Sequence, residues 1–525
     1  MSSGVDVAPL YGDVLQAIES ASKRDVRQTR LVYLYLSAVD APSTDLSLLL
    51  VNSLHKHSRD ASPVLRHEAV RALAAASASL DYAQFVAPVL SRLLDDAHPL
   101  VRRGATLAAL VCARAKRDDA AVCADLSAAL DSLVDDRDEL VALNAVLALC
   151  QLHGAAFVVP TAVVVRLLAA GASSSLPDMS RAYVNELILR IPPCSDEQRI
   201  ALLNALDPLL EHAEACVATS AAAAMLHLCR DTPLLGSVCT RLVAPLAALV
   251  AHPANDASHY LAMRHLALIL PRVPEPVFDV NLLYVGHTDA PFVQIEKARL
   301  LGVAATDKNA QQCIDLLAAA LRVAEPVSVV DAVLGALVQI AVRLPKHADD
   351  LRRRLLAVGG SPARRSVAVV RCAELFSARP DLADSAALQC MSEHFLSLRR
   401  DALCALLGVI AQVGPVLPDG AALLFEALNL VRDEPAHADD SQLLLQLLDA
   451  SLRCFADAGA AYSRVAIDTL QLCLASDDAR LRQRAEMAGV VLSHGRAHAR
   501  TAFSQAVPRA TASAPSLHAF NRSDL

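Results

Sequence analysis

The stretch Asp60-Ala-Ser-Pro-Val-Leu-Arg66 returns as Asp96-Ala-His-Pro-Leu-Val-Arg102 and, more loosely, as Asp136-Arg-Asp-Glu-Leu-Val-Ala142. The copies lie roughly 35 to 40 residues apart, which is the period of solenoids built from helix pairs, such as HEAT and armadillo repeats. Each copy joins turn-forming residues to the start of an apolar helical pattern. The sequence therefore predicts an all-α fold, a right-handed α-α superhelix of HEAT/armadillo-like helix pairs.

The helices on either side of this turn repeat as well. When the copies are aligned on their aspartate, small side chains after the turn coincide at Ala69, Ala105 and Ala145. In the preceding helix the aligned leucines are Leu54, Leu90 and Leu130. Pro63 and Pro99 fit the first turn of a helix, where the missing N–H of proline is tolerated. We expect both aligned sets to lie in the core, because small residues on one helix allow branched residues on its partner to pack closely.

Length and composition favour this architecture and argue against several classes of function. The 525 residues are too many for one globular core and no linker divides them, whereas a solenoid needs contacts only between neighbouring repeats. A net charge of −8, with 3% aromatic residues and no Trp, argues against nucleic-acid binding. The N-terminus lacks the pattern of a signal peptide, and no apolar run reaches the length of a membrane span.

No pattern of residues indicates catalysis, a cofactor or a metal. The chain has neither a Gly-x-x-x-x-Gly-Lys-Ser/Thr phosphate loop nor a Gly-x-Ser-x-Gly nucleophile motif. The 13 Cys fall singly, without a Cys-x-x-Cys, and are expected to be buried thiols. His494 and His498 have the spacing of a helical metal pair, but Gly495 weakens that helix and no third ligand follows at a fitting distance. We therefore expect a non-enzymatic protein without catalytic, cofactor-binding or metal-binding residues.

The recurring acidic and basic residues form a first candidate set, which consists of Asp60, Arg66, Asp96 and Arg102. Their fixed positions in successive repeats predict a ladder of ion pairs between repeats, with a stabilising role. The alternative is that the two arginines bind a partner protein.

A series of motifs follows the chain in a fixed order. It consists of Asp6-Val-Ala-Pro-Leu-Tyr11, Leu31-Val-Tyr-Leu-Tyr-Leu36, Asp45-Leu-Ser-Leu-Leu-Leu-Val-Asn52, Pro63-Val-Leu-Arg66, and Pro291-Phe-Val293 ahead of Ile295-Glu-Lys297. This series resembles the trunk of β-adaptins, the large β subunits of heterotetrameric adaptor complexes of vesicle coats. The resemblance is clear up to residue 345 and diffuse beyond it.

The resemblance implies a scaffold for cargo sorting and vesicle-mediated protein transport. The implied partners are the medium, small and second large adaptin subunits. The implied location is cytoplasmic, peripheral on trans-Golgi network and endosomal membranes and on coated vesicles. In some relatives a GTP-loaded Arf GTPase docks on the helix that corresponds to residues 45–52, which makes Leu48 and Val51 candidate Arf contacts. The alternative is that both are ordinary core residues of a helix pair.

The chain also departs from the family pattern. We expect a helical-repeat trunk at residues 1–500 and an extended C-terminal tail, rich in Ser, Ala and Pro, at 501–525, without a hinge or ear domain. The nearest string to a clathrin-binding motif, Leu445-Gln-Leu-Leu-Asp449, fails at its second position, so clathrin binding is not expected. Together with the segments at 6–11 and 307–312, this favours the β subunit of adaptor complex four over those of complexes one and two.

A different HEAT-type scaffold, such as a phosphatase scaffold or a transport receptor, is the competing interpretation. It predicts regular periods that extend evenly to the C-terminus. Beyond residue 155 the repeats are looser, and the later helices are expected at 309–323, 327–343, 383–413, 420–432, 441–457 and 461–474.

Overall fold

The computed structural model describes residues 29–30, 52–78, 83–115, 119–172, 176–273, 278–393, 397–413, 420–433 and 440–504. The chain divides into two compact units, Met1–Leu235 and Gly236–Leu525, called unit 1 and unit 2 below. All regular elements within these ranges are α-helices or short 3-10 helices. Each unit arranges its helices in two layers, called layer A and layer B.

In unit 1, the described helices of layer A pack side by side in chain order: α1 (Pro63–Ala78), α3 (Pro99–Ala115), α5 (Glu139–His153), α7 (Asp178–Leu187) and α9 (Ala215–Cys229). Layer B consists of the helices between them: α2 (Ala83–Leu94), α4 (Ala120–Ser132), α6 (Thr161–Ala172) and α8 (Asp196–Leu206). Short 3-10 helices lie at Gly154–Ala156, Ile188–Arg190 and Asp207–Glu211. Residues 52–57 are helical and lead into the turn before α1.

In unit 2, layer A consists of α11 (Asp256–Ile269), α12 (Pro291–Ala304), α14 (Val327–Arg343), α16 (Pro362–Ala378), α18 (Arg400–Val413), α20 (Ser441–Ala458) and α22 (Ala479–Ser493). Unit 2 begins with α10 (Leu235–Ala251), and its layer B consists of α13 (Ala310–Val323), α15 (Ala348–Leu356), α17 (Ser385–Ser392), α19 (Gly420–Asp433) and α21 (Ser463–Leu474). Between α11 and α12, the 3-10 helix Val280–Leu283 takes the place of a layer B helix. Other 3-10 helices lie at Leu270–Arg272, Pro345–His347, Pro380–Leu382 and Gly459–Tyr462. The last described helix, α23 (Arg496–Ser504), packs on α20 and α22.

Local signals in the sequence start these helices. Pro63 and Pro99 are the first residues of α1 and α3, as the sequence predicts. Asp138 caps α5 by accepting a backbone N–H with its side chain. Ser195 and Gln198 form a reciprocal capping box at the start of α8. The helix boundaries of unit 1 are therefore largely encoded in local sequence.

The two aligned sets of residues form the core of unit 1. The small residues Ala69, Ala105 and Ala145 are fully buried, and so are Leu54, Leu90 and Leu130. Because successive repeats contribute equivalent residues, this core is continuous from one repeat to the next. The predicted all-α, HEAT-like solenoid of helix pairs is confirmed.

Close packing within layer A of unit 2 depends on one glycine. A Cβ at Gly302 of α12 would lie 2.7 Å from Gln339 Oε1 and 3.1 Å from the backbone Cα of Ala336 on α14. We expect Gly302→Ala to lower the free energy of unfolding by about 1 to 3 kcal/mol, because the two helices must move apart. Urea denaturation followed by circular dichroism measures this change.

Gly408 in α18 provides the matched control. Among the described residues, and apart from its chain neighbours and the nearby backbone of its own helix, no atom lies within 4 Å of the position that its Cβ would take. Gly408→Ala is therefore expected to stabilise the fold by about 0.5 to 1 kcal/mol, since alanine favours the helix. Equal stability of the two variants would contradict the close contact at Gly302.

The structure differs from the sequence-based expectation in two places. The sequence predicts one helical segment over 383–413, but the chain forms α17 and α18 there and crosses from layer B to layer A between them. No Pro or Gly stands between these helices, so apolar periodicity alone did not reveal the crossing. In addition, α23 continues to Ser504, beyond residue 500, and 505–525 lie outside the described residues.

No single helix in the described ranges is both long and apolar enough to cross a bilayer, and one pair, α14 with Pro345–Leu356, meets those criteria jointly but bends by 118°.

Candidate partner-binding face and its supporting turns

A carboxylate closes each of the repeated turns before α1, α3 and α5. Asp60 accepts the backbone N–H of Ser62 at 2.8 Å. Asp96 accepts the N–H of His98 at the same distance. Asp136 likewise accepts the N–H of Asp138, two positions along the chain. These are Asx turns, in which a side-chain oxygen replaces a backbone acceptor.

The arginine that follows each turn joins one repeat to the next. Arg66 donates from Nε and Nη2 to the two carboxylate oxygens of Asp96, both at 2.8 Å. Arg102 makes the same bidentate pair with Asp136, at 2.8 and 2.9 Å. Through Nη1, each arginine also donates to the carbonyl of the aspartate in its own turn, Asp60 or Asp96. Each guanidinium thus ties two successive turns together, and we propose that this arrangement stabilises the stack.

A second pair runs beside this ladder. Arg103 donates from Nε and Nη2 to the carboxylate of Asp138, at 2.9 and 2.6 Å. The same carboxylate caps α5, so it closes a helix and joins two repeats at once. Sequence reasoning missed this pair because the aligned position in α1 is His67, so the arginine does not recur.

Two later turns keep the ladder geometry with different side chains. Arg181 Nη1 lies 2.9 Å from Nε2 of His212, which stands at the aspartate position before α9. Near the C-terminus, Arg482 Nη1 donates to the carbonyl of Ser476 at 2.7 Å, as Arg66 does in its own turn. The geometry of the turn therefore recurs later in the chain, at turns where another residue stands in place of the aspartate.

The Asp96 carboxylate of the ladder is held in its ionised form. Burial alone would raise the pKa of Asp96, but hydrogen bonds from the Arg66 side chain and the His98 N–H outweigh burial and hold the pKa below its ordinary value of 3.8. A folded-state pKa below the unfolded one means that the pair adds stability above pH 3.8 and loses that contribution as the pH falls further. The pair is thus fully charged at neutral pH.

Unit 1 also exposes an apolar face on layer A. This apolar face consists of Val64, Leu107, Val111, Met179 and Tyr183. The exposed fraction of these side chains ranges from 37% at Val111 to 57% at Met179. When α1, α3 and α7 are aligned by their turns, the five positions fall within about 60° around the helix axis. Leu147 of α5, between α3 and α7, is half-buried at the matching position. At the other matching positions α5 has Asn144 and the exposed Gln151, so the exposed apolar side chains lie on α1, α3 and α7. Clustered exposed apolar side chains are typical of protein-interaction sites.

The matching positions in unit 2 combine apolar and polar side chains. On α12 they hold Phe292, which is 46% exposed, with Glu296 and Arg299, and on α14 they hold Gly335 and Gln339. Glu296 is 2% exposed, and burial raises its pKa even though Arg264 and Arg299 oppose that shift. An exposed apolar side chain therefore stands on this face in unit 2 as well, at Phe292.

The predicted site residues fall into two groups. Asp60, Arg66, Asp96 and Arg102 lie together as described, with Asp136 as a further carboxylate that the candidate set omitted. Arg66 and Arg102 have side chains only 17% and 16% exposed. Their guanidinium N–H groups donate to acceptors inside the fold, so few of them remain for the alternative, which is binding of a partner protein. Leu48 and Val51, the candidate Arf contacts, lie outside the described residues.

The histidine pair does not share one helix. His494 ends α22 and His498 lies in α23, with Gly495 at φ 98° between them. Their rings are 5.7 Å apart and both side chains are exposed. Within the described ranges, no three His, Cys, Asp or Glu side chains gather as a metal site. All 13 Cys fall in those ranges as free thiols.

Comparisons with known proteins place this fold in context. A family model described as "Adaptin N terminal region" matches residues 3–496. The chain is 24% identical over 485 residues to human AP-1 complex subunit beta-1, which covers 87% of this chain and 48% of that relative. It is 26% identical over 323 residues to mouse AP-4 complex subunit beta-1, which covers 60% of this chain and 42% of that relative. The chain thus spans about half the length of the curated relatives it matches.

A solved structure has a similar fold. It is a chain from a homology model of the full-length AP-3 complex in an intermediate open conformation, with a TM-score of 0.57. The alignment covers 96% of this chain and 88% of that chain at 18% identity. At this identity the likeness concerns the fold alone.

Proposed function

This chain belongs to the adaptin N-terminal family, and we propose that it is a non-enzymatic, β-type large subunit of a vesicle-coat adaptor complex. The family match over residues 3–496 is the observation that carries the proposal. The beta subunits of AP-1 and AP-4 among its relatives support the β assignment. In this role the chain scaffolds the medium, small and second large adaptin subunits for cargo sorting. The complex acts in vesicle-mediated protein transport, peripherally on trans-Golgi network and endosomal membranes.

The apolar face of unit 1 is consistent with a subunit that works in an assembly. Leu107 and Tyr183 are 52% and 42% exposed, and both would lose their contact with water against a partner. Stable subunit interfaces have an apolar centre of this kind, with aromatic residues enriched. We propose that this face contacts another adaptin subunit.

The finer assignment rests on sequence features. The segments at 6–11 and 307–312 and the failed clathrin motif at 445–449 support adaptor complex four and a clathrin-independent role. The identities to the AP-1 and AP-4 beta subunits are 24% and 26%, which does not separate the complexes. Leu48 and Val51 stay proposed contacts for an Arf GTPase.

Affinity purification of the tagged chain from cells, followed by quantitative mass spectrometry, tests the proposal. We expect a medium, a small and a second large adaptin to be recovered, and the identity of the second large subunit names the complex. Clathrin is not expected among the recovered proteins. Recovery of a phosphatase catalytic subunit or of nuclear-transport cargo without any adaptin would overturn the proposal.

Charge reversal tests the apolar face itself. We expect Leu107→Asp and Tyr183→Asp to reduce recovery of the adaptin subunits at least about tenfold, because burying an unpaired carboxylate in an interface costs several kcal/mol. Ile200→Asp is the matched control, since Ile200 is 50% exposed on α8 in layer B. Circular dichroism of each variant confirms that the helices remain. Unchanged recovery with both layer A variants would remove the apolar face as the contact.

A further inference from the structure

The joint between α7 and α9 differs in its chemistry from the ladder joints that connect α1, α3 and α5. His212 stands at the position of the ladder aspartate, and its Nδ1 accepts the N–H of Glu214 at 3.1 Å. Asp96 closes its own turn in the same way. At the other side of the ring, His212 Nε2 faces Arg181 Nη1 at 2.9 Å. One imidazole therefore takes both roles of the aspartate, which are to close the turn and to receive the arginine.

An imidazole cannot fill both of these roles. In its uncharged form it has one N–H and one bare nitrogen, so it accepts one hydrogen bond, whereas a carboxylate accepts several. Both nitrogens of His212 face donors, the N–H of Glu214 and the guanidinium of Arg181. One of the two contacts therefore sets an N–H against another N–H. Protonation of the ring adds a second N–H, so His212 lacks an acceptor in either form.

The carboxylate of Asp178, the first residue of α7, offers an alternative partner. Its Oδ1 lies 3.4 Å from Arg181 Nη1 and 3.5 Å from His212 Nε2. In one arrangement, the bare Nε2 accepts from Arg181, and Nδ1–H is turned against the N–H of Glu214, so the turn is not closed. In the other, Nδ1 closes the turn, Nε2–H points to Asp178, and Arg181 pairs with Asp178 inside α7. Neither arrangement satisfies the turn and the arginine through His212 at once.

Other polar atoms of this joint also lack partners. Among the described residues, Arg181 Nε and Asn185 Oδ1 are buried without a hydrogen bond. Asn185 is 0% exposed, although its Nδ2 donates across the joint to the carbonyl of Val217 and to Ser220 Oγ. By contrast, Arg102 donates through Nε, Nη1 and Nη2. A buried polar atom without a partner costs free energy, so α7 is held to α9 less firmly than α3 is to α5.

We propose that α7 is the movable helix of layer A in unit 1, and that its joint to α9 alternates between the two arrangements of Arg181, Asp178 and His212. A bidentate rung fixes the guanidinium in one geometry, whereas an element with two near-equal sets of hydrogen bonds moves between them. Met179 and Tyr183 lie on α7, so its movement changes the shape of the apolar face. Use of this movement by a bound subunit rests on the function proposed above, but the movement itself does not.

Hydrogen exchange of the full-length chain, read by mass spectrometry, tests the proposal. We expect the amides of α7 to exchange at least about tenfold faster than those of α3. Since α7 has 10 residues and α3 has 17, the decisive comparison is between variants. His212→Asp supplies acceptors for both donors and should slow exchange in α7 at least about tenfold. Ala213→Asp adds a carboxylate at the next residue, which is exposed, and should leave exchange in α7 unchanged.

Arginine variants give a second readout, which a joint of ordinary rigidity would not produce. Arg102→Met removes a complete rung and should speed exchange in α3 and α5. Arg181→Met removes a donor that lacks a full set of acceptors and keeps an apolar stem beside Gly171, so exchange in α7 should not rise.

Several results would overturn the proposal. They are exchange in α7 as slow as in α3, no slowing by His212→Asp, equal slowing by Ala213→Asp, and a rise with Arg181→Met in α7 that matches the rise with Arg102→Met in α3. Recovery of other adaptins enters none of these results, so the proposed function and the movement of α7 fail independently.

Discussion

Asp136→Ala is expected to lower the free energy of unfolding of unit 1 by about 3 kcal/mol, the lower end of the range for breaking a buried ion pair. The Asp136 carboxylate accepts both Arg102 hydrogen bonds and the N–H of Asp138. Its removal leaves a guanidinium that is only 16% exposed without its carboxylate. Urea denaturation followed by circular dichroism measures the loss, and hydrogen exchange shows whether α3 and α5 open first.

The neighbouring aspartate provides the control for this prediction. Asp135 is exposed and its side chain takes no part in the ladder, so Asp135→Ala should change stability by no more than about 0.5 kcal/mol. A double-mutant cycle with Arg102→Met isolates the ion pair from the turn hydrogen bond. If Asp136→Ala costs the same with Arg102 or Met at position 102, the link between repeats contributes nothing and the ladder is only a set of turns.

The ladder could be predicted from sequence because its parts are local and recurrent. Asp96 closes its turn through a residue two positions away, and Arg102 reaches back to the carbonyl of the same turn. Such short-range geometry requires particular residues at fixed spacings, which makes the copies visible in the sequence. His212 occupies the aspartate position of a later turn with a different side chain, so a search for aspartate overlooked it.

The apolar face could not be predicted, because its exposure depends on how neighbouring helices turn relative to one another. Leu107 and Leu110 both lie on α3, yet the first is 52% exposed and the second 8%. In a helix that is apolar on several sides, periodicity does not say which side faces a neighbour. The Arg103–Asp138 pair escaped prediction for a different reason, because its arginine does not recur in the neighbouring repeat.

The second large effect is expected in unit 2, where Asp289→Ala should lower the free energy of unfolding by about 3 kcal/mol. Lys297 donates from Nζ to Asp289 Oδ2 at 2.8 Å and to the carbonyl of Tyr284 at 3.0 Å. The lysine side chain is only 8% exposed, so loss of the carboxylate leaves a buried ammonium with one neutral acceptor. Asp289 also accepts the N–H of Gly286, which holds the loop before α12. Hydrogen exchange should show that this loop opens before α12 does.

An exposed ion pair in the same unit separates the effect of burial on stability from the effect of charge. Lys346 and Asp307 approach to 3.6 Å, but their side chains are 81% and 67% exposed, so Asp307→Ala should cost no more than about 0.5 kcal/mol. Lys297→Met combined with Asp289→Ala should recover part of the loss, because the apolar stem stays packed and no buried charge remains unpaired. If Asp289→Ala and Asp307→Ala cost the same, burial of Lys297 adds nothing. In that case backbone contacts, and not the ion pair, would hold the loop. The 3-10 helix Val280–Leu283 offers only one turn for such contacts.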